Sequence, residues 1–128
     1  MPCDVRLNLA ARAEQVVLVR SVVGALAVSL GFPERVVHDV RLAVTEACTN
    51  VVRHAYDGAP GRLDVAATAG RDALTVTVAD HGSGLRPRGD SEPGGLGLPL
   101  MAALAESVEI DETDGKGTTV RLSFAAAQ

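Results

Sequence analysis

The apolar residues of this chain change their period near residue 60, and that switch limits the folds open to it. Between Ala11 and Leu30, the residues Val16, Val19, Val23, Leu26 and Leu30 recur at steps of three and four, which lays one apolar stripe along a helix. Gly31 is placed to end that helix, and Pro33 suits the first turn of the next. A second stripe, Val37, Val40, Val44, Ala47, Val51 and Ala55, predicts a helix from about Glu34 to Tyr56. The turn residues DGAPG (57–61) break it. Beyond them the period is two. Leu63, Val65 and Ala67 alternate with polar or small neighbours, a turn falls at Gly70–Asp72, and Leu74, Val76 and Val78 alternate with Thr75 and Thr77, which predicts an antiparallel pair. A shorter alternation, Val5, Leu7 and Leu9, stands near the start. Residues 80–97, DHGSGLRPRGDSEPGGLG, show no period and read as a long irregular loop. A short helix over about Leu98–Glu106 follows, then a strand marked by Val108 and Ile110. The turn TDGKG precedes a last strand carrying Val120, Leu122 and Phe124 on one face.

The order β, α, α, β, β, loop, α, β, β predicts an α+β fold with a sheet covered by helices on one face. The other sheet face would carry Thr75, Thr77, Thr119, Arg121 and Ser123 and meet water or a partner. There is no internal repeat and no linker long enough to divide the chain, so one domain over residues 1–128 is expected. With Phe32, Tyr56 and Phe124 the only aromatics, the core must be Val, Leu and Ala.

Composition removes several function classes. The net charge is −4 and no basic run exists, which argues against binding a phosphate backbone, and few aromatics argue against stacking single-stranded bases; no nucleic-acid partner is expected. The most apolar run, Val22–Leu30, is far short of the ~20 residues that span a bilayer, so no membrane association is expected. No signal-like segment is visible, and Cys3 and Cys48 form no metal or redox motif. A reduced, cytoplasmic setting is therefore expected.

Several residues break the pattern. Asp80 shares the parity of Leu74, Val76 and Val78, so its carboxylate points to the helix-covered side if the strand reaches that far. It either starts a turn or accepts an N–H from a flat heterocycle, beside Gly82 and Gly84, which let a backbone approach closely. Thr118 shares parity with Val120 and is either inward-facing beside Asp80 or bonded to local backbone. Glu46, Asn50 and His54, each four residues apart, form a polar ridge beside the apolar stripe. It is either a solvated face or a carboxylate–amide pair able to hold a hydrated hard cation such as Mg2+. GGLGL (94–98) leads into a helix whose bare N–H groups can cradle phosphate, and it is neither a Walker A sequence nor a Rossmann fingerprint. Cys48 lies near the apolar side of its helix and reads as core.

Taken in order, EACTNVVRHAY (46–56), DHGSG (80–84), GGLGL (94–98) and GKGTTVRL (115–122) resemble the N box, adenine-binding box, phosphate box and final strand of the GHKL ATPase superfamily. The resemblance runs from Val5 to Phe124 and is greatest to the bacterial anti-sigma-factor serine kinases of the RsbW and SpoIIAB type. It implies a Bergerat-type two-layer sandwich, with a mixed, mostly antiparallel sheet, that binds ATP between helices and sheet. Asp80 and Thr118, with Gly82 and Gly84, would hold adenine. Asn50 would hold Mg2+ on the phosphates, Gly95 and Gly97 would meet the phosphates, and Glu46 would be the general base. The implied partners are a sigma factor and a STAS anti-anti-sigma protein whose serine is phosphorylated, with Arg20 a partner contact and a homodimer as the implied assembly. One departure stands out: only nine residues, LRPRGDSEP, separate Gly84 from Gly94, shorter than the ATP lid of such kinases. Arg86 and Arg88 within it would either reach phosphate or stay solvated on the loop. The alternative function is a non-catalytic, nucleotide-gated module that sequesters a transcription regulator. A third, a catalytic domain serving a separate histidine-bearing protein, fits the resemblance less well.

Overall fold

The computed structural model describes residues 3–82, 97–113 and 117–126. Strand β1 (Cys3–Ala10) leads to helices α1 (Ala13–Ser29) and α2 (Glu34–Asn50), then a π-helical turn (Val51–Ala55). Strands β2 (Arg62–Gly70) and β3 (Ala73–Asp80), helix α3 (Gly97–Leu104) and strands β4 (Ser107–Thr113) and β5 (Gly117–Ala125) complete the order. This is the predicted α+β order.

The end of α1 shows why the first stripe stops where it does. Gly31 adopts φ 81°, its N–H donates to the Val28 carbonyl, and the Phe32 N–H donates to the Ala27 carbonyl. These two bonds form a Schellman cap, which only a residue tolerant of positive φ closes easily. Phe32, just past the cap, is buried against the core. Pro33 stands at the N-cap of α2, where its missing N–H is no loss, and its carbonyl accepts from Val37.

The five strands lie in the order β1-β2-β3-β5-β4, and every described pairing is antiparallel. Strand alternation sends Leu63, Val65, Ala67, Leu74, Val76, Val78, Val120, Leu122 and Phe124 to one face, and all are buried there. The stripes of α1 and α2 close over them: Val19, Val23, Val40 and Val44 are fully buried. Burying a single Val or Leu side chain is worth roughly 1.5–3 kcal/mol, so this aliphatic core stands without large aromatics. Thr75, Thr77, Thr119 and Ser123 are half-buried on the opposite face, with Arg121 exposed among them. There Arg121 pairs with Glu109 at 3.0 Å.

One expectation needs refining. The helix read as continuous to Tyr56 is α-helical only to Asn50. Residues 51–55 form a wider π turn, although Val51 and Ala55 are buried as the stripe predicts. In a π turn the backbone bonds run i→i+5, so four residues fall short of a full turn. The four-residue spacing that stacks Glu46 and Asn50 on α2 therefore does not carry His54 along the same line.

Candidate functional site

The end of β3 is where the core turns polar. Asp80 is its last residue, opposite Leu63 of β2, and its side chain follows Leu74, Val76 and Val78 into the helix-covered side. It is only 3% exposed. Asp80 Oδ1 accepts the Gly82 N–H at 2.9 Å, which makes the tight turn that one sequence reading predicts. Asp80 Oδ2 is buried and has no hydrogen-bond partner among the described residues. The turn reading of Asp80 thus holds for Oδ1, and because a buried acceptor without a partner is costly, Oδ2 is an acceptor suited to a donor.

Thr118 joins it from β5. The pair Ala79–Thr119 places Thr118 alongside Asp80 at the next step, and Thr118 is 2% exposed on the same inner face. Gly117, just before it, has φ 114° and lies against β3 so closely that a Cβ there would stand 2.0 Å from the Asp80 carbonyl oxygen. A side chain at residue 117 would force the strands apart.

Gly82 is equally constrained. A Cβ on it would meet the Ala55 carbonyl oxygen at 2.0 Å, so the segment after Asp80 is seated directly on the π turn. That contact joins the Asp80 region to the helix bearing Glu46 and Asn50. Both side chains are half-buried, one helical turn apart on α2. Gly97 is the first residue of α3. Gly84, Gly95, Arg86 and Arg88 lie outside the described residues.

The geometry suits a flat heterocycle carrying an amino group. Asp80 Oδ2 supplies a buried acceptor, and backbone at Gly82 and Gly117 leaves no side chain in the way. A cation site built by the protein alone is not present: among the described residues no three His, Cys, Asp or Glu side chains gather. Asn50 and Glu46 can supply one or two oxygens, the number Mg2+ takes when phosphates and waters complete its shell.

Three features of this region were not anticipated from sequence. Tyr56, just past the π turn, donates its hydroxyl to the Arg62 carbonyl and accepts the His81 N–H at 2.8 Å. Gly117 makes the close approach described above. His81 Nε2 lies 2.6 Å from Asp64 Oδ2 on the outer side, and Asn8 Nδ2 donates to Asp64 Oδ1 at 2.9 Å. Partial burial pushes the Asp64 carboxyl up, but the hydrogen bonds from Asn8 and His81 and the charges of His81 and Arg62 outweigh it, leaving the group below the usual carboxylate range. None of these contacts has a periodic signature; only the HAY and GKG segments hint at where they fall.

Arg20 lies elsewhere. It lines an open cavity of about 250 Å3 with Val16, Val17, Thr49 and Arg53, between α1 and the C-terminal part of α2. Cys48 is fully buried, and burial pushes its thiol up to about 12, so it is core, as expected, and unreactive. No described helix is long and apolar enough to cross a membrane.

Residues 9–124 match the family model for the histidine kinase-like ATPase domain. Among curated proteins, the chain is 33% identical to the serine-protein kinase RsbW of Halalkalibacterium halodurans, over 89% of this chain and 79% of that one. It is 32% identical to the serine-protein kinase RsbW of Bacillus pumilus, over 87% and 80%. It is 29% identical to the anti-sigma F factor of a Thermoanaerobacter species, over 91% and 90%.

Proposed function

The chain belongs to the histidine kinase-like ATPase domain family, and from that premise we propose that it is an ATP-dependent anti-sigma-factor protein-serine kinase. Asp80 Oδ2, buried and without a hydrogen-bond partner among the described residues, is the observation that carries the nucleotide reading. Adenine presents an exocyclic N–H to such an acceptor, whereas guanine presents a carbonyl at the corresponding position. Thr118 lines the same inner face, Gly82 supplies close backbone, and Gly84 would add to it. Gly95 and Gly97 precede or begin α3 and would offer N–H groups to phosphate.

Asn50 would hold Mg2+ against the phosphates, and the bound metal would neutralise charge that develops there. Glu46, one turn away on the same helix, takes the proton of the incoming serine hydroxyl. The serine oxygen bonds to the γ-phosphorus, the bond to the β–γ bridging oxygen breaks, and ADP leaves. The serine belongs to a STAS anti-anti-sigma protein, and the unmodified partner competes with a sigma factor that the kinase sequesters. Arg20, with Arg53 on the same cavity, faces outward for partner contact. We place all of this in a single domain, in the cytoplasm, working as a homodimer.

A second reading has its own observation. With nine residues between Gly84 and Gly94, little chain is available to cover a triphosphate and exclude water. A nucleotide-gated module that sequesters a regulator without transfer needs only the binding half of the site. Incubation with γ-labelled ATP, Mg2+ and the cognate STAS protein decides between them. Label on a serine of the STAS protein is the expected result. ATP binding without label on the partner leaves the binding-module reading.

A further inference from the structure

Tyr56 is the one aromatic residue with a polar end, and three separate segments converge on it. It follows the π turn that ends the Glu46–Asn50 helix. Its hydroxyl donates to the carbonyl of Arg62, the first residue of β2, and accepts the backbone N–H of His81, the residue after Asp80. Its ring is held between glycines. A Cβ on Gly61 would stand 2.4 Å from ring atoms, and one on Gly82 would stand 3.2 Å from the ring. The hydroxyl thus links the end of one helix to the start of one strand and the end of another.

A nucleotide that meets Asp80 with its base and Asn50 with its phosphates must span from strand to helix. Its affinity then depends on how firmly that separation is fixed before binding, because order created on binding is charged against affinity. The Tyr56 hydroxyl ties the His81 N–H, just after β3, to the helix end, while Asp80 Oδ1 holds the Gly82 N–H within the segment and His81 Nε2 meets Asp64 of β2. We propose that Tyr56 is a positioning residue of the nucleotide cleft, setting Asp80 against the Glu46–Asn50 helix. The role rests on the nucleotide reading above.

The test is Tyr56→Phe in the full chain, which keeps the ring between Gly61 and Gly82 and removes only the bridging oxygen. Val23→Ala, in the core of α1, serves as a control that destabilises without touching the cleft. ATP and ADP affinities are measured by calorimetry with Mg2+, melting temperatures by circular dichroism, and the His81 amide by hydrogen exchange. In Tyr56→Phe, ATP and ADP binding should each weaken about tenfold, the size expected when a donor and an acceptor lose one shared partner. The His81 amide should exchange at least about tenfold faster. Val23→Ala should lower the melting temperature and leave both affinities in place. Unchanged affinities in Tyr56→Phe overturn the positioning role. So does a loss that Val23→Ala reproduces at an equal drop in melting temperature, since the effect would then be stability alone. Failure of the wild-type chain to bind ATP overturns the nucleotide reading and this role with it. Wild-type binding with an indifferent Tyr56→Phe removes the role and leaves that reading standing.

Discussion

The Asp80 end and the Glu46 end of the cleft are built in different ways. At the first, strands β3 and β5 bring two nearly inaccessible polar side chains together, and glycine backbone at residues 82 and 117 closes the space around them. Little there can move without separating strands. At the second, Glu46 and Asn50 stand half-buried on a single helix face. Recognition of a base needs a fixed, dry acceptor, whereas moving a proton needs a group that an incoming substrate can reach. Under the proposed function the two ends would answer to different physical demands, preorganisation in one and access in the other.

Glu46→Gln tests the division most severely. It preserves shape and removes basicity, so transfer to the STAS serine should slow by ~10²–10⁴ in single-turnover experiments. ATP affinity measured beside it should hold, because Asn50 remains to meet the metal. A collapse of ATP binding instead would mean that Glu46 acts chiefly through the metal, and the two ends would not be separable.

Asp80→Asn should give the opposite pattern. The amide replaces an acceptor oxygen with a donor that opposes adenine's N–H, so ATP affinity should fall about tenfold to a hundredfold, from roughly 1.5–3 kcal/mol of lost interaction. Melting of the unliganded variant should not suffer in proportion. The amide oxygen can still accept from Gly82, and the lost Oδ2 has no described partner to leave behind. Large destabilisation with intact binding would mark Asp80 as structural.

A smaller effect should appear on the outer side of the same end. Asp64 has a lowered pKa in the folded chain, so it binds protons less readily there than when unfolded. Its contribution is present above the unfolded value of about 4 and is lost as pH falls through the lower folded value. The difference in melting temperature between wild type and Asp64→Asn should therefore shrink as pH drops from about 5 to below the folded value. A difference that stays constant across that range would show that the Asn8–Asp64–His81 contacts contribute nothing through charge.

The smallest effect should come from the open sheet face. Arg121→Ala breaks an exposed ion pair with Glu109, worth at most ~1 kcal/mol, and should leave ATP affinity unchanged. A measurable loss of binding would extend the cleft's support through the sheet.

Local period made most of this fold readable. Across α1, α2, β2, β3 and β5, apart from the half-buried Leu30, the positions that the stripes and alternations mark are buried, although they leave out Gly24, Ala27, Val36, Ala43 and Ala69, and parity alone turned Asp80 and Thr118 inward. What escaped depends on contacts between distant segments. NVVRHAY reads as uninterrupted helix because Val51 and Ala55 satisfy either an α or a π turn, and the seat of Gly82 on the Ala55 carbonyl is a contact that the local sequence does not carry. The Tyr56–His81 bond joins residues 25 apart, and the His81–Asp64 pair joins residues 17 apart. Gly117 looks like an ordinary turn glycine until β5 is laid beside β3. At the Glu46 end the residue pattern was visible, but a helix ridge alone does not separate a solvated face from a catalytic one.

The strand order places the last strand of the chain inside the sheet, between β3 and β4, rather than at its edge. During synthesis, β1, β2 and β3 emerge well before the residue that completes the pocket beside Asp80. A nascent chain carrying both helices and the whole of β3 still lacks Gly117 and Thr118. Until β5 inserts, the buried carboxylate has open space on one side, and the edges of β3 and β4 that face each other across β5 are unpaired. The surroundings of Asp80 are therefore completed only when β5 pairs with β3, after both helices and β3 itself have been made.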